Sequence, residues 1–152
     1  MRPNFILVAV ICSLGLVSCI GPQVPTDERV LELCRHIPNP EHLEDSRAFI
    51  TADFYEALET MINLPDSTEV LHEWEFWFVT ADGSPMAAGQ TSIVDRKQID
   101  KTHVAVTIVI EPEDTDYAAE KHQLIVQQVG SEWKLSDLDD YKSAAQKRVY
   151  HH

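Results

Sequence analysis

The chain has 152 residues, which is enough for one domain and too few for two comfortable ones. Twenty-five Asp and Glu residues against 12 Lys and Arg give a net charge of -13. An acidic surface of that size repels phosphate backbones and anionic lipid headgroups. We therefore expect no nucleic-acid partner, and any attachment to a membrane has to come from something other than charge.

The N-terminal segment has the pattern of a secretory signal. Residues 5–17 form a run of 13 apolar or small residues preceded by Arg2, whereas a membrane-spanning helix needs about 20. The short run, the positive start and the small residues near its end predict a signal peptide over residues 1–18. The alternative is an N-terminal helix buried in the core.

The tetrapeptide LVSC, residues 16–19, ends this apolar run and resembles the lipobox of bacterial lipoproteins. The resemblance implies that the signal is removed just before Cys19 and that Cys19 carries a diacylglycerol, usually with an acylated N-terminus. Each buried methylene contributes about 0.8 kcal/mol, and two or more chains hold stably. The implied membrane partner is bound through this lipid, at the bacterial cell envelope and facing the periplasm or the exterior.

The two other cysteines then have separate fates. Cys12 leaves with the signal, so Cys34 has no partner for an intramolecular disulfide in the oxidising compartment. Cys34 lies in the apolar stripe of a predicted helix, where a free cysteine is usually an inert buried thiol. The alternative is a nucleophile, although no second cysteine is left to resolve it.

Two helical regions follow a lipidated tether over residues 19–26 and open a single α+β domain over residues 27–150. Thr26 is predicted to cap a first helix that stops at Pro38. A second helical region over about residues 40–63 is expected to bend near Thr51, which can cap its second part.

Strand patterns fill the rest of the domain. Strands are predicted near residues 70–80, 90–99, 102–110, 122–129 and 132–138, and a last helix near 139–150. Helices before an antiparallel meander predict an α+β fold. We expect N-terminal helices packed on a curved, four- to five-stranded antiparallel sheet, cone-shaped, with a short C-terminal helix. Trp133 in the last strand is predicted to be buried.

Two phrases of this region resemble the nuclear-transport-factor-like, or cystatin-like, superfamily. FITADFYEAL, residues 49–58, is similar to its early helix turn, and GSEWKLSDLDDYK, residues 130–142, to its closing strand. The resemblance covers roughly residues 27–145 and implies a cone between helices and sheet. It does not name a chemistry, because that fold hosts enzymes, ligand binders and assembly modules alike.

An enzyme of this fold needs paired titratable groups in the cone. The candidates are His72, His103, His122, Asp137 and Asp139. The apolar strand face around His72 suits a ligand contact or a catalytic histidine, and the alternative is a partly wet residue at a strand end. His103 has the opposite parity from the apolar residues of its strand and is expected to face away from the core.

Neither a metal nor a cofactor is expected. The chain has no His-x-x-His or Cys-x-x-Cys, and its five glycines include no phosphate-binding loop. The acidic turn at residues 111–116 lacks the spacing and glycine of a calcium loop. Without a clear acid–base cluster, the sequence favours a non-catalytic ligand- or protein-binding module. The alternative is a hydrolase or isomerase using the cone-shaped pocket.

Trp77 is the candidate for a contact with a partner. The strand pattern at residues 70–79 puts it on the opposite face from Trp74, Phe76 and Phe78. A half-apolar outer face centred on Trp77, which Ile125 and Val129 would join, predicts a homodimer or protein-partner interface. The alternative is a β-bulge that turns Trp77 inward, or a C-terminal helix folded over it.

Overall fold

The computed structural model describes residues 23–64, 89–112 and 118–143. The helices are α1 (Asp27–Arg35), a 3-10 helix (Pro40–Ser46) and α2 (Ala52–Ile62). The strands are β1 (Gly89–Gln98), β2 (His103–Pro112), β3 (Glu120–Val129) and β4 (Glu132–Leu138). The predicted signal, Cys19 and the predicted strand carrying His72 and Trp77 lie outside the described residues. Residues 141–143 are helical, and the rest of the predicted last helix also lies outside.

The four described strands form one antiparallel sheet in the order β1-β2-β3-β4. Helices followed by this meander make an α+β fold, as predicted. The register shifts at two bulges, between Ile93 and Asp95 in β1 and beside Ile125 in the β3–β4 pairing. In the second, Ser136 is the extra residue of β4, and its hydroxyl donates a 3.1 Å hydrogen bond to the Ile125 carbonyl.

The two α-helices begin differently. At α1 the Thr26 hydroxyl accepts a 3.2 Å hydrogen bond from the Arg29 N–H, so the predicted cap is confirmed. At α2 Thr51 occupies the N-cap position, but its side chain makes no capping bond. Asp53 instead accepts from the Phe54 N–H at 3.0 Å. The predicted bend before α2 is present, but the predicted capping role of the Thr51 side chain is wrong.

The core lies between the helices and one face of the sheet. From the helices it takes Val30, Leu33, Phe54 and Leu58; from the sheet it takes Val104, Val106, Ile108, Leu124, Val126 and Leu135. Trp133 joins them at 8% exposure, as predicted. Burying a large apolar side chain contributes about 1.5–3 kcal/mol, so this contact holds the two layers together.

Main-chain groups of β4 are also bonded from the helical layer. The Leu135 N–H donates to the Phe49 carbonyl and the Thr51 N–H donates to the Leu135 carbonyl, both at 2.9 Å. Beside them, Arg29 donates from Nε and Nη2 to the Trp133 carbonyl at 3.0 and 2.7 Å. These bonds occupy edge groups of β4 that would otherwise be open to pairing with another strand.

Candidate functional site

The outer face of the sheet, the face turned away from α1 and α2, is the described part of the predicted partner surface. Ala105 is 9% exposed, while Thr107, Val109 and Ile125 are half-buried. Val129 is more open, with 46% exposure. The strand parity therefore separates a largely buried inner face from a mildly apolar outer face. Trp77, the predicted centre of that surface, stays a prediction.

A single row of residues crosses the outer face through all four strands. The register pairs Lys97 with Ala105, Ala105 with Ile125, and Ile125 with Asp137. Lys97 is exposed and Asp137 is half-buried. The row, which we call the charged row, therefore has a cation at one end, two apolar residues in its centre and a carboxylate at the other end.

Asp137 also binds the chain that follows β4. Its Oδ1 accepts hydrogen bonds from the Leu138 N–H at 2.8 Å and the Lys142 N–H at 2.9 Å. Burial raises the pKa of the Asp137 carboxyl even though these N–H groups and the Lys142 charge act in the opposite direction. Asp137 is thus a desolvated carboxylate that organises the start of the helical turn at residues 141–143.

His122 occupies the opposite, inner face of the sheet. It pairs with Ile108 in the register, alternates with the buried Leu124 and Val126, and has a side chain only 6% exposed. Its Nδ1 lies 2.8 Å from Asp139 Oδ2, and its Nε2 lies 3.4 Å from Glu120 Oε2. The structure therefore brings together His122 and Asp139, two of the candidates, with Glu120 as a third member that the sequence did not indicate.

The turn after β4 positions the Asp139 carboxylate. Asp139 and Asp140 have φ values of 47° and 62°, a left-handed conformation that Asp tolerates better than most residues. The turn lets the Asp139 N–H donate to the Gln123 carbonyl at 2.9 Å, while Asp139 Oδ1 accepts from the Gln123 N–H at 2.6 Å. Two backbone bonds to β3 thus fix the carboxylate beside the His122 ring.

Two opposing effects set the charge of His122. Burial lowers its pKa, but the hydrogen bond and charge of Asp139, together with Glu120, outweigh burial and raise the pKa above its ordinary value. The imidazolium form is therefore more stable here than in a free histidine. A general acid or base has to reach a substrate, whereas His122 is almost fully buried with a carboxylate beside each ring nitrogen. This geometry suits a stabilising ion cluster.

His103 belongs to a different local structure, the turn between β1 and β2. Asp100 Oδ1 accepts from the Thr102 and His103 N–H groups at 2.7 and 2.9 Å, and Asp100 Oδ2 lies 2.9 Å from His103 Nδ1. The Thr102 N–H bond is the main cause that lowers the pKa of Asp100 to about 2, and His103 adds to it. His103 therefore stabilises a turn and does not join the His122 cluster.

Cys34 has no exposed surface, and burial raises the pKa of its thiol to about 12. The predicted burial of the thiol is confirmed, and a raised pKa disfavours the thiolate that reactivity requires. Within residues 23–64, 89–112 and 118–143, no group of three or more His, Cys, Asp or Glu side chains is placed to hold a metal ion. None of the helices in these ranges is long and apolar enough to cross a membrane.

No family model matches the chain, and no curated protein or solved structure is significantly similar to it. The argument for function therefore rests on the sequence and on the geometry of the charged row and the His122 cluster. The resemblances to bacterial lipoproteins and to the nuclear-transport-factor-like superfamily stay predictions.

Proposed function

We propose that this protein is a lipoprotein of the bacterial cell envelope whose α+β domain is a non-catalytic binding module, most suited to a protein partner. The observation that carries the proposal is the tetrapeptide LVSC, which ends a 13-residue apolar run. Acyl chains on Cys19 supply membrane affinity that does not depend on charge. That matters for a chain with a net charge of -13, which anionic headgroups repel.

Binding is favoured over catalysis by the environment of the described titratable groups. His122, the most deeply buried of the candidate histidines in the described ranges, lies between two carboxylates and is nearly inaccessible. Asp137 and Asp100 accept backbone hydrogen bonds that organise turns. In the described ranges, each of these groups stabilises the fold.

The outer face of the sheet supports a protein partner. It combines apolar residues in its centre with Lys97 and Asp137 at the ends of the charged row. Protein interfaces commonly have such an apolar centre and a polar rim. The predicted contact at Trp77 would extend the same kind of surface.

The anchor is tested by labelling. The full chain is expressed in bacteria with radioactive palmitate, and the mature N-terminus is identified by mass spectrometry. We expect label on the wild type, a mature chain that begins at Cys19, and neither feature in Cys19→Ala. Cys12→Ala is the matched control, because it removes a cysteine of the signal and should keep both features. An unlabelled wild-type chain that fractionates as soluble would contradict the proposal.

A hydrolase or isomerase is the second candidate, and the His122–Asp139 contact is the observation in its favour. A histidine oriented by a carboxylate is a common arrangement for general acid–base chemistry. The wild type and His122→Asn are compared on panels of ester and ketone substrates. Turnover by the wild type that His122→Asn abolishes, while the variant remains folded by circular dichroism, would favour the enzyme.

A further inference from the structure

The charged row is self-complementary when it is reversed. From β1 to β4 it reads Lys97, Ala105, Ile125, Asp137. An identical row running in the opposite direction would place the Asp137 carboxylate of a second copy opposite Lys97, and its Ile125 opposite Ala105. Symmetric dimers use one surface patch on both subunits, and that patch has to complement itself in this way.

The charges select one symmetry axis. When two sheets pack face to face with aligned strands, the two-fold axis that relates them is parallel either to the strands or to the row. An axis parallel to the row would stack each lysine on its own copy and each aspartate on its own copy, which is repulsive. An axis parallel to the strands, passing between β2 and β3, pairs each lysine with an aspartate at both ends of the row.

Neither Lys97 nor Asp137 has a salt-bridge partner among the described residues, although Asp137 accepts two backbone hydrogen bonds. They cannot neutralise each other within one chain, because three strand spacings of about 4.8 Å separate them by about 14 Å. Burial also leaves the Asp137 carboxyl with a raised pKa, so a cation from outside the chain would stabilise its charged form.

We propose that the partner of the outer sheet face is a second copy of this chain, packed face to face about a two-fold axis parallel to the strands, with Lys97 of each copy opposite Asp137 of the other. This inference names the partner of the binding module described above, and it rests on that proposed function. Its centre is the contact of Ala105 with Ile125 of the second copy, repeated once by symmetry.

The first test is a charge swap in the full chain, extracted from bacterial membranes in mild detergent and analysed by sedimentation. Lys97→Glu should weaken the dimer about tenfold, because at each end of the row the new glutamate of one copy would face Asp137 of the other copy. Adding Asp137→Lys should restore the dimer, and no contact within one chain can explain such a rescue across about 14 Å. Lys101→Glu, in the exposed β1–β2 turn, is the matched control and should dimerise like the wild type.

The second test measures proximity between the two copies and needs no new charge at position 137. Circular dichroism first checks that Asp137→Cys, which also removes the acceptor of two backbone bonds, remains folded. A tagged Lys97→Cys chain and an untagged Asp137→Cys chain are expressed together and treated with a bis-maleimide reagent that spans about 10 Å, the spacing of packed sheets. We expect a tagged–untagged cross-link and no cross-link in either single variant. Wild-type chain measures the background from its own cysteines, of which Cys34 is buried.

Each result decides between specific alternatives. A wild-type chain that is monomeric under all conditions, or a double swap that does not restore dimerisation, overturns the inference. Cross-linking of Lys97→Cys to its own copy overturns the axis, because it requires the arrangement parallel to the row. Palmitate labelling without dimerisation supports the lipoprotein proposal and refutes the second-copy inference. Dimerisation of an unlabelled chain supports the second-copy inference and refutes the lipoprotein proposal.

Discussion

The two faces of β2 and β3 are formed by alternating residues of the same two strands, yet they differ in chemistry. Toward the helices the strands present Val104, Val106, Ile108, Leu124 and Val126, all without exposed surface. Toward the outside they present Ala105, which is 9% exposed. The other outward residues are half-buried or exposed: Thr107, Val109, Lys121, Gln123 and Ile125. The inner face is mostly hydrocarbon, with His122 lying beside two carboxylates, whereas the outer face mixes apolar, amide and charged groups.

The difference between the faces separates stability from recognition. A face without exposed surface contributes to the free energy of unfolding through apolar burial, so a large-to-small change there leaves a cavity. On a half-open face, neighbouring side chains and solvent adjust to the same change. Stability measurements on matched variants of the two faces therefore test this assignment of roles.

The largest expected effect follows truncation of Trp133. Trp133→Ala removes an indole that is 8% exposed and should lower the free energy of unfolding by about 3–5 kcal/mol. Chemical denaturation monitored by circular dichroism measures the loss. Lys134→Ala, one residue along the same strand, is the control and should change stability by less than about 0.5 kcal/mol. A Trp133→Ala protein that melts within a degree or two of the wild type would refute the assignment.

A smaller effect with a defined pH dependence is expected at His122. Because the folded-state pKa is raised, the stability from the imidazolium is fully present below the unfolded pKa, near 6.5. It is lost as pH rises through the folded pKa. His122→Asn should therefore cost about 1–3 kcal/mol at acidic pH and less at alkaline pH.

Denaturation of the wild type and of His122→Asn at pH 5.5 and pH 8.5 measures this difference, at roughly one unit below and two units above the ordinary histidine pKa. His42→Asn, at an exposed position of the 3-10 helix, is the control. A cost for His122→Asn that is equal at both pH values would mean that Asp139 and Glu120 do not stabilise the imidazolium.

A change of about 1 kcal/mol is expected where Arg29 bonds β4. Arg29→Lys keeps the positive charge but loses the planar group that donates twice to the Trp133 carbonyl. Arg35→Lys, in the last turn of the same helix and exposed, is the matched control and should be neutral. Equal stability of the two variants would show that the double hydrogen bond contributes nothing.

The smallest effect is expected on the outer face. Thr107→Ala should change the free energy of unfolding by less than about 0.5 kcal/mol. Ile108→Ala, at the next residue and on the inner face, should cost about 2–5 kcal/mol because Ile108 has no exposed surface. Similar costs for the two variants would mean that the outer face is as tightly packed as the core.

Local patterns were sufficient to predict most of the described fold. The last strand was predicted at residues 132–138 and is Glu132–Leu138, and the strand predicted at 102–110 is His103–Pro112. Alternation with a period of two and the caps of helices depend on neighbours in sequence. The inward position of His122 could also be predicted from the sequence, since His122 alternates with Leu124 and Val126.

The remaining features depend on contacts between distant residues. Three features have no local sequence signature. They are the bulge at Ser136, the pair of hydrogen bonds from Arg29 to β4, and the left-handed backbone that brings Asp139 to His122. The charged row likewise requires the strand register, which shifts by one residue at each bulge. Lys97 has no distinctive sequence context, and Asp137 was a candidate only as a titratable group of the last strand. The paired strands are what place the two residues in one row.

The parallel bridge between Ile50 and Leu135 has a consequence for the order of events during synthesis. The segment before α2 pairs with the last strand, and Arg29 bonds a carbonyl 104 residues away. Because these long loops close only after β4 is available, the N-terminal helices cannot reach their final packing while the chain is still growing. For the secreted lipoprotein proposed above, this delay would favour translocation, because the helices would not complete their packing before the last strand had crossed the membrane.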